Sequence, residues 1–357
     1  FRNSRLIGRR FRIVHVRFGR EIIEVATFRA HHDRDSHETN HSKRGLILDD
    51  NVYGSLDEDM QRRDFTINAL YYQADEGAVY DQVGGMADLQ SKTIRLIGDP
   101  ETRYREDPVR MLRAIRFAAK LGFRIAPETI DPIRRLGFLL HDVSPARLYD
   151  EVAKLLMLGN AEKTFILLRD HGLIAWLFPE TARCLEPVSE LLILEALRST
   201  DRRIREDRPV TPAFLYAALL WSPVTRQRGL LQEQGLAPLA SLHAAAIKVI
   251  SKQVLFTSIP RRISAPMKEI WELQLRLPKR GGKQALTVLS HKRFRAAYDF
   301  LLLREMAGED LGDLGNWWTE FQQQDAKGQK KMLASLQPPK RRRRRRKKAV
   351  RSNPNAS

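Results

Sequence analysis

Hydrophobic and polar positions alternate near the start of the chain in the pattern of short strands. Residues 11–18 (FRIVHVRF) and 21–28 (EIIEVATF) show this alternation, and Gly19-Arg20 between them predicts a two-residue hairpin turn. On the second strand Glu24 shares a face with apolar neighbours, because successive side chains of a strand point to opposite faces. Glu24 is therefore a carboxylate in an apolar strand, which fits either a solvent-facing edge position or a functional group.

The pattern changes from strand-like to helical near residue 100. Residues 64–72 (DFTINALYY) and 78–82 (AVYDQ) predict a second strand pair, and residues 93–98 (TIRLIG) predict a last strand. From there to residue 336 apolar positions recur at helical spacing. The predicted fold class is therefore α+β, with a small sheet-containing head before a long helical remainder. Prolines predict helix breaks at six positions: Pro127, Pro145, Pro179, Pro209, Pro260 and Pro278.

One predicted helix, residues 105–123 (REDPVRMLRAIRFAAKLGF), carries more arginine than a packed helix needs. Asp107 before Pro108 predicts an N-cap followed by a first-turn proline. Asp107, Arg110 and Arg113 recur at three-residue spacing and therefore share one face of this helix. The row is either an ordinary salt-bridged surface or a binding surface, and the helix alone does not distinguish the two.

The charge of the chain indicates a polyanionic partner. The 357 residues hold 62 Lys and Arg against 43 Asp and Glu, a formal net charge of +19. Residues 340–351 (KRRRRRRKKAVR) hold ten of the positive charges, and we predict a disordered basic tail over residues 337–357. The rest of the chain keeps a net charge of about +9, which is typical of proteins that bind nucleic-acid phosphates.

Composition excludes several other classes. The single cysteine, Cys184, rules out an internal disulfide and a cysteine-based zinc site, and it fits a reducing cytoplasm. No apolar run approaches the roughly 18 residues of a membrane span, and residues 213–221 (AFLYAALLW) predict a buried helix. Residues 30–45 predict a polar loop rather than a metal site, although they contain four histidines: His31, His32, His37 and His41.

Four local patterns follow one another along the first third of the chain. They are LIGRRFRIVHV (6–16), RRDFTINAL (62–70), DQVGGMADLQSKTIRLIGDP (81–100) and REDPVRMLRAIRFAAKLGF (105–123). In this order and spacing they resemble the class II nucleotidyltransferase family of bacterial poly(A) polymerases and tRNA CCA-adding enzymes. The resemblance is strong to about residue 160, and it continues more loosely through IPRRI (259–263) and HKRFRAAYDFLLLR (291–304).

The resemblance implies a protein template for the incoming base. In this family a Glu-Asp-x-x-Arg signature has that role, and it falls here on Glu106, Asp107 and Arg110. Asp107 would offer a carboxylate acceptor, and Arg110 a guanidinium donor, to the edge of adenine, which carries an amino donor and a ring-nitrogen acceptor. Glu106 would orient the arginine, and Arg113 would assist on the same face.

The same resemblance assigns the phosphates, the ribose and the reaction centre. Arg62 and Arg63 would bind the triphosphate, and Asp64 and Asn68 would bond ribose hydroxyls or arrange the site, with Asp64 as an active-site residue. EIIEVATFR matches the segment that holds the family's third catalytic acid, which places Glu24 beside the metal ions and the primer hydroxyl. The implied cofactor is Mg²⁺.

The family's two leading aspartates, a D-x-D pair after a G-G-x-V-R-D segment, are not found in this sequence. Asp33-Arg34-Asp35 lies in the polar loop, Asp57-Glu58-Asp59 precedes RRDFTINAL, and Gly84-Gly85 lacks the V-R-D sequence. We therefore expect a stretch of a longer enzyme whose principal metal ligands lie upstream. On that expectation Glu24 is the one metal ligand present, and this chain binds RNA, binds adenine at most weakly, and has little or no transferase activity.

The resemblance also implies a domain layout in five parts. They are a partial palm-like head over residues 1–99, a base-recognising neck over 100–160, a helical body over 161–257, a helical leg over 258–336 and the basic tail over 337–357. The body and the leg would bind RNA. Seven cations of the leg are candidate phosphate contacts for the primer: Arg261, Arg262, Lys279, Arg280, Lys292, Arg293 and Arg295.

Three further pairs of residues each have two interpretations. Arg147 and Glu151, one helical turn apart, resemble a family motif that braces the template helix, or else form a surface ion pair. Trp317-Trp318 stacks RNA bases or anchors the last helices, and the anchor is favoured. His141-Asp142 is read as a chance dipeptide rather than as part of a metal phosphohydrolase site.

The predicted activity is template-independent addition of AMP from ATP to RNA 3′ ends. Two alternatives stay open: a tRNA CCA-adding enzyme, which shares RRDFTINAL and the Glu-Asp-x-x-Arg helix, and a non-catalytic RNA-binding protein. LIGRRFRIVHV and the basic tail favour the polymerase. We expect a cytoplasmic monomer in RNA decay, without membrane association. Its expected partners are ATP, RNA 3′ ends, and RNA-decay or RNA-chaperone proteins that contact the tail.

Overall fold

The structure is a computed structural model that describes residues 1–7, 13–30 and 53–336. The four histidines of the predicted polar loop, the Asp33-Arg34-Asp35 triplet and the predicted basic tail lie outside these ranges. Within the described ranges a small head that contains strands precedes a long helical remainder. The predicted α+β class is therefore confirmed.

Seven short strands are present in the described residues. They are β1 (Ser4–Ile7), β2 (Ile13–Phe18), β3 (Glu21–Val25), β4 (Tyr71–Gln73), β5 (Ala78–Tyr80), β6 (Thr93–Ile94) and β7 (Arg124–Ile125). β1, β2 and β3 form an antiparallel sheet in that order, β4 and β5 form an antiparallel pair, and β6 and β7 form a parallel pair. The described part of the head thus holds small separate sheets.

The remaining elements are helices, of which the described residues form eighteen. They are α1 (Leu56–Arg62), α2 (Gly85–Gln90), α3 (Pro100–Glu106), α4 (Val109–Leu121), α5 (Pro127–Leu136), α6 (Pro145–Leu156), α7 (Ala161–Asp170), α8 (Ile174–Leu177), α9 (Pro179–Ala182), α10 (Pro187–Arg205), α11 (Pro212–Leu219), α12 (Trp221–Glu233), α13 (Pro238–Gln253), α14 (Arg261–Arg276), α15 (Lys283–Leu289), α16 (Phe294–Met306), α17 (Leu314–Gln323) and α18 (Ala326–Ser335). Two 3₁₀ turns accompany them, at Thr66–Asn68 and Gly137–Asp142. Three of the predicted breaks fall where a proline begins a helix: Pro127, Pro145 and Pro179.

The predicted hairpin near the start of the chain is confirmed. β2 and β3 pair around Gly19, whose φ of 61° suits a glycine in a tight turn. β3 ends at Val25, so the predicted continuation of the strand to Phe28 is wrong. Phe28 instead packs edge-on against Tyr71, with ring centroids 5.9 Å apart. The chain therefore leaves the sheet one residue after Glu24.

The predicted strand over residues 64–72 is wrong for most of its length. Thr66–Asn68 forms a 3₁₀ turn, and β4 begins only after it. The reason is local, because Oδ1 of Asp64 accepts hydrogen bonds from the backbone N–H of Phe65 (2.9 Å) and from Nδ2 of Asn68 (3.0 Å). Such bonds compete with a strand ladder. The turn brings the side chains of Asp64 and Asn68 together.

The predicted helix over residues 105–123 is interrupted. α3 ends at Glu106, Asp107 has an extended backbone, and α4 starts after Pro108, because the residue before a proline disfavours helical backbone. The N-cap is therefore Pro108, and the predicted N-cap at Asp107 is one residue early. Oδ1 of Asp107 nevertheless accepts the backbone N–H of Val109 at 3.2 Å, so the carboxylate still serves the start of α4.

The arginine-rich helix is tied at both ends to one small sheet. The segment predicted as a last strand, residues 93–98, contributes only the two residues of β6. β6 pairs in parallel with β7, a strand that the sequence pattern did not predict, and α3 and α4 lie in the connection between them. The connection from β6 to β7 is therefore a β–α–β crossover that contains both helices.

The inward face of α4 belongs to an apolar core that joins the head to the helical remainder. That core extends from Phe65 in the head to Ala307 after α16. Full burial of a large apolar side chain contributes about 1.5–3 kcal/mol, so burial of this face fixes the rotation of α4. The buried face consists of Val109, Met111, Leu112, Ala114, Ile115, Ala118 and Ala119. The arginine row on the opposite face is therefore held outward.

Two predictions about the helical remainder are confirmed. α11 is buried along nearly its whole length, as predicted for residues 213–221. Trp317 and Trp318 are buried in a second cluster, and Nε1 of Trp318 donates a hydrogen bond to the Leu277 carbonyl at 3.0 Å. The two tryptophans thus anchor the last helices rather than stack RNA bases. Among the described helices we find none that is both long and apolar enough to cross a bilayer.

The glycine pair in DQVGGMADL fits α2 closely against the 3₁₀ turn beside Asp64. Gly84 has a left-handed φ of 80°. A Cβ on Gly85 would lie 2.4 Å from the backbone oxygen of Thr66, a distance that real Cβ atoms do not show. On the same face Oγ1 of Thr66 donates to Oδ2 of Asp88 at 2.8 Å. Gly85 therefore allows α2 to support the turn that presents Asp64.

Gly85→Ala is expected to destabilise the protein by about 1–3 kcal/mol, because the methyl group must push α2 away from the turn. The matched control is Gly229→Ala on α12, where a Cβ meets open space and alanine is the better helix former. Urea unfolding measures both free energies. Equal stability of the two variants would show that the approach of α2 to Thr66 is not a constraint.

Candidate functional site

A cleft of about 940 Å³ lies between the head and the helices α4 and α6. The hairpin of β2 and β3, the end of α1 and the 3₁₀ turn contribute lining residues on the head side. Glu106 contacts Arg110 without lining the cleft. The other eight predicted catalytic and nucleotide-binding residues all line it: Glu24, Arg62, Arg63, Asp64, Asn68, Asp107, Arg110 and Arg113.

Arg110 is held in place by two acceptors. Its Nη1 donates to Oε2 of Glu106 at 2.9 Å and to the backbone carbonyl of Arg103 at 2.8 Å. Burial raises the pKa of Glu106, but the charges of Arg103 and Arg110 outweigh burial and hold that pKa below its ordinary value. Glu106 is therefore ionised at neutral pH, which is what a residue that orients Arg110 requires.

Asp107 is braced from α6. Oδ2 of Asp107 accepts a hydrogen bond from Nη2 of Arg147 on α6 at 2.7 Å. Arg147 does not pair with Glu151, which instead contacts Lys154 at 2.8 Å, so the surface-pair interpretation of Arg147 and Glu151 is wrong. Each carboxylate oxygen of Asp107 can accept a further hydrogen bond, because an oxygen of this kind has two lone pairs.

Asp64 joins the head to α4. Oδ2 of Asp64 contacts Nε and Nη2 of Arg113, while Oδ1 accepts from Asn68. The guanidinium of Arg113 also lies over the ring of Phe117, 5.4 Å from its centroid. The structure thus gives Asp64 and Arg113 a contact with each other that the sequence analysis did not predict.

Arg63 also has partners of its own in the cleft. It donates to Oδ2 of Asp59, by Nε at 3.0 Å and Nη2 at 2.8 Å, and to the hydroxyl of Tyr71. Tyr71 donates in turn to Asp59. Burial raises the pKa of Asp59. The hydrogen bond from Tyr71 and the charge of Arg63 together outweigh burial, so the pKa of Asp59 is below its ordinary value. Arg63 is therefore a fixed cation in the wall of the cleft.

Arg103 is a residue at this site that the sequence analysis missed. It is only 5% exposed, and its Nη2 donates to the backbone carbonyls of Arg62 and Arg63, both at 2.6 Å. Its Nη1 donates to Glu106 at 2.9 Å. Burial, and then the charge of Arg110, lower the pKa of Arg103 to about 10, so it is still a cation at neutral pH.

Arg103 therefore connects the backbone of Arg62 and Arg63 in the head to the Glu-Asp-x-x-Arg segment. The signal for this role was present in the sequence, because Arg103 precedes Glu106 by three residues and opposite charges at that spacing face each other on a helix. The contact with the backbone of residues 62 and 63 could not be predicted, since it joins segments about forty residues apart.

Glu24 lines the same cleft from β3 and pairs with His15 of β2, at 3.1 Å between Oε1 and Nε2. The described residues contain no group of three or more His, Cys, Asp or Glu side chains placed to hold one metal ion. The donor set in the described residues is therefore incomplete for Mg²⁺, which prefers six oxygen ligands. His141 packs against Trp176 and Phe256, as a structural side chain does.

Comparison with known proteins identifies the chain. Models of three consecutive regions match it: "Poly A polymerase head domain" over residues 1–95, "Probable RNA and SrmB- binding site of polymerase A" over 122–185, and "Polymerase A arginine-rich C-terminus" over 234–351. Poly(A) polymerase I of Salmonella typhimurium is 49% identical over 346 residues, which are 94% of this chain and 74% of that relative. The chain belongs to the bacterial poly(A) polymerase family.

The CCA-adding enzymes resemble this poly(A) polymerase family member over a smaller part of the sequence. That of Anoxybacillus flavithermus is 41% identical over 137 residues, which are 38% of this chain and 34% of that relative. A solved structure of the Bacillus stearothermophilus CCA-adding enzyme with CTP shares the fold, with a TM-score of 0.55 and 22% identity over 93% of this chain and 69% of that chain. Sequence thus assigns the family, and structure confirms the nucleotidyltransferase fold.

The seven leg cations predicted to contact RNA differ in their surroundings. Arg261, Arg262 and Lys279 are exposed, and Arg280 lies over the ring of Trp317, 5.3 Å from its centroid. The last three cations are held by carboxylates about 3.0 Å away: Lys292 and Arg293 by Glu269, and Arg295 by Asp299. In this poly(A) polymerase family member, an RNA phosphate at the last three cations would have to compete with those carboxylates.

Arg103→Met is expected to cost about 3–5 kcal/mol of unfolding free energy, because Glu106 and two backbone carbonyls lose a buried cationic partner. Arg103→Lys should recover only part of this loss, since one ammonium group cannot span all three acceptors. The matched control is Arg105→Met on the same helix, whose exposed guanidinium pairs with Glu101, and little change is expected there. Urea unfolding of the three variants tests this, and a loss at Arg105 as large as that at Arg103 would contradict it.

Proposed function

We propose that the protein adds AMP from ATP to RNA 3′ ends without a nucleic-acid template. One observation carries the proposal: Asp107 and Arg110 line the same cleft as Asp64 and Glu24. Groups suited to a base and groups suited to a reaction centre thus share one space of about 940 Å³. We include in the proposal the roles of Arg62, Arg63 and Asn68 toward the triphosphate and ribose, and a cytoplasmic monomer that takes part in RNA decay.

The chemistry of the base edges limits which nucleotides the pair can accept. Asp107 keeps lone pairs for an amino donor, and the guanidinium of Arg110 supplies N–H groups to a ring nitrogen. Adenine and cytosine both carry an amino donor beside a ring-nitrogen acceptor, whereas uracil and guanine present a carbonyl acceptor beside a ring N–H donor. The pair therefore excludes UTP and GTP by hydrogen bonding, and discrimination against CTP depends on the size of the base pocket.

The proposed base recognition predicts a specific change in selectivity. Arg110→Ala and Asp107→Asn should each reduce the preference for ATP over UTP and GTP by roughly tenfold or more, because a matched pair of base-edge hydrogen bonds contributes about 1–3 kcal/mol of discrimination. Competition binding with the four nucleotides measures this. Arg105→Ala, outside the cleft, serves as the control and should leave selectivity unchanged. Unchanged selectivity in the two cleft variants would contradict the template role.

Mg²⁺ is part of the proposed reaction, and it requires carboxylates in addition to those in the described residues. In nucleotidyl transfer, bound metal ions activate the attacking hydroxyl and stabilise the charge that develops on the phosphate. From this chain we assign only Glu24 to that centre. Asp64 is a less suitable ligand, because its carboxylate already contacts Arg113 and Asn68. We therefore propose that Asp64 positions Arg113 and the ribose rather than a metal ion.

Glu24→Ala in the full-length protein should lower AMP transfer by roughly a hundredfold or more, because Glu24 belongs to the reaction centre. The affinity for oligoadenylate should be nearly unchanged, because Glu24 is not among the proposed RNA contacts. Single-turnover incorporation of labelled AMP measures transfer, and fluorescence anisotropy measures RNA affinity. The control is Glu21→Ala on the same strand, an exposed carboxylate that does not line the cleft. Equal losses of transfer and RNA binding in Glu24→Ala would indicate misfolding and reject the assignment.

The choice between poly(A) and CCA addition is tested by the product. ATP alone on a generic RNA primer should give a homopolymer, whereas CTP incorporation confined to tRNA 3′ ends would establish the CCA-adding alternative. The extent of sequence similarity to Poly(A) polymerase I, 94% of this chain against 38% for a CCA-adding enzyme, supports the first outcome.

A further inference from the structure

A groove in the second half of the chain is lined by cations and shares no lining residue with the cleft. It has a volume of about 660 Å³ and lies between α12, the start of α13, α14 and α15. One acidic side chain lines it, Glu272, whose carboxylate lies 3.5 Å from Nε2 of His243 and 3.8 Å from Nη1 of Arg276. Four cations converge on the groove: Arg228, Arg276, Lys279 and Lys283.

Four apolar residues line part of this cationic groove, and we call them its apolar floor. Leu239 of α13, Leu275 of α14 and Val288 of α15 line it, together with Pro238. A ligand that fits both parts therefore carries negative charge on one side and a flat or apolar body on the other. A nucleotide unit of single-stranded RNA has this composition, with a phosphate beside a base that buries its faces against apolar side chains. The volume is also within the range of pockets that bind a ligand of nucleotide size.

Arg228 is held in the groove at an electrostatic cost. Its Nε is buried and has no hydrogen-bond partner among the described residues. Burial, and then the nearby charge of Arg304, hold the pKa of Arg228 below its ordinary value. Arg304 itself is paired, by Nη2 to Glu309 at 2.6 Å and by Nη1 to Gln274 at 3.0 Å. An anion in the groove would therefore supply the partner that Arg228 lacks.

We propose that the cationic groove binds single-stranded RNA, with phosphates at the four cations and a base on the apolar floor. The inference rests on the proposed function, because a 3′ end in the cleft leaves the groove for nucleotides farther from that end. It also adds residues to the predicted RNA contacts. Of the four cations only Lys279 was singled out by sequence. Arg276 and Lys283 flank it in the same stretch of chain, whereas Arg228 is distant in sequence and joins them only in the fold.

RNA fits the groove better than two other anionic ligands. ATP alone would supply a triphosphate, yet Lys279 and Lys283 are exposed side chains along an open edge, which suits a chain that passes through. An acidic protein segment would satisfy the cations but would leave the apolar floor without a flat partner. Both ligands are therefore outcomes of the test rather than parts of the proposal.

The test uses a triple variant of the full chain, Arg276→Ala, Lys279→Ala and Lys283→Ala. A labelled oligoadenylate of roughly 15 nucleotides is titrated by fluorescence anisotropy at several salt concentrations. Loss of three phosphate contacts should lower the magnitude of the slope of log affinity against log salt by about 2 and weaken binding roughly tenfold or more. The matched control removes three exposed cations of the head that line neither the groove nor the cleft, Arg5→Ala, Arg20→Ala and Lys92→Ala, and should keep most of the affinity.

Two variants of Arg228 test its contribution to RNA binding separately from the exposed cations. Arg228→Met should weaken oligoadenylate binding while Arg228→Lys retains part of it, with thermal unfolding measured for both so that a folding defect is recognised. Cross-linking with an oligonucleotide that contains 4-thiouridine should label peptides that include Leu275 or Val288. Labels confined to other peptides would overturn the proposal.

The remaining outcomes separate this proposal from the proposed function. Groove variants that bind oligoadenylate as the unaltered protein does would reject the groove and leave the function intact. Equal losses in the triple variant and its charge-matched control would also reject it, as would a loss of ATP affinity in the triple variant. Polyglutamate binding that is lost in the triple variant, while its oligoadenylate binding is unchanged, would assign an acidic protein partner instead. Failure of the unaltered protein to bind oligoadenylate or ATP would reject the proposed function itself.

Discussion

Arg103 donates hydrogen bonds to two backbone carbonyls of the head and to Glu106 of its own helix, and the geometry of the cleft follows from these contacts. Glu106 is thereby fixed, and it fixes Arg110 in turn. The buried guanidinium of Arg103 thus sets the distance between the backbone of Arg62 and Arg63 and the Glu-Asp-x-x-Arg segment. Removal of Arg103 would take a cationic donor from two backbone carbonyls and leave Glu106 with Arg110 alone, which costs more than the loss of a single surface ion pair.

Three carboxylates that line the cleft are each in contact with an arginine. Asp59 has Arg63, Asp64 has Arg113 and Asp107 has Arg147, each within hydrogen-bond distance. A nucleoside triphosphate that enters this space therefore meets carboxylates whose charge is already compensated, which reduces the repulsion that bare acids would exert on its phosphates. The same pairs hold the side chains in fixed orientations, so little further ordering is required when a ligand binds.

The sequence predicted the α+β class, the hairpin, the buried tryptophans and the set of residues that share the cleft. The hairpin and the buried tryptophans could be predicted because turn residues and apolar periodicity are local properties, whereas the set of cleft residues came from the resemblance to the nucleotidyltransferase family. The strand over residues 64–72 was wrong, because the side chain of Asp64 bonds to its own neighbourhood and replaces the ladder with a 3₁₀ turn. The contact of Arg103 with the head, and the position of Arg228 beside the cations of residues 276–283, were missed because the segments that meet lie far apart in sequence, and no periodicity reports such contacts.

The parallel pairing of β6 with β7 has a consequence for how repeated addition would proceed. Because α3 and α4 lie in the connection between those two paired strands, and Arg110 is held by Glu106 and the Arg103 carbonyl, the edge that Arg110 offers to a base would keep one position from each cycle to the next. On the proposed function, an enzyme whose selector neither advances nor resets with the growing product has no means of counting. Such an enzyme would produce a tail of uniform composition and variable length.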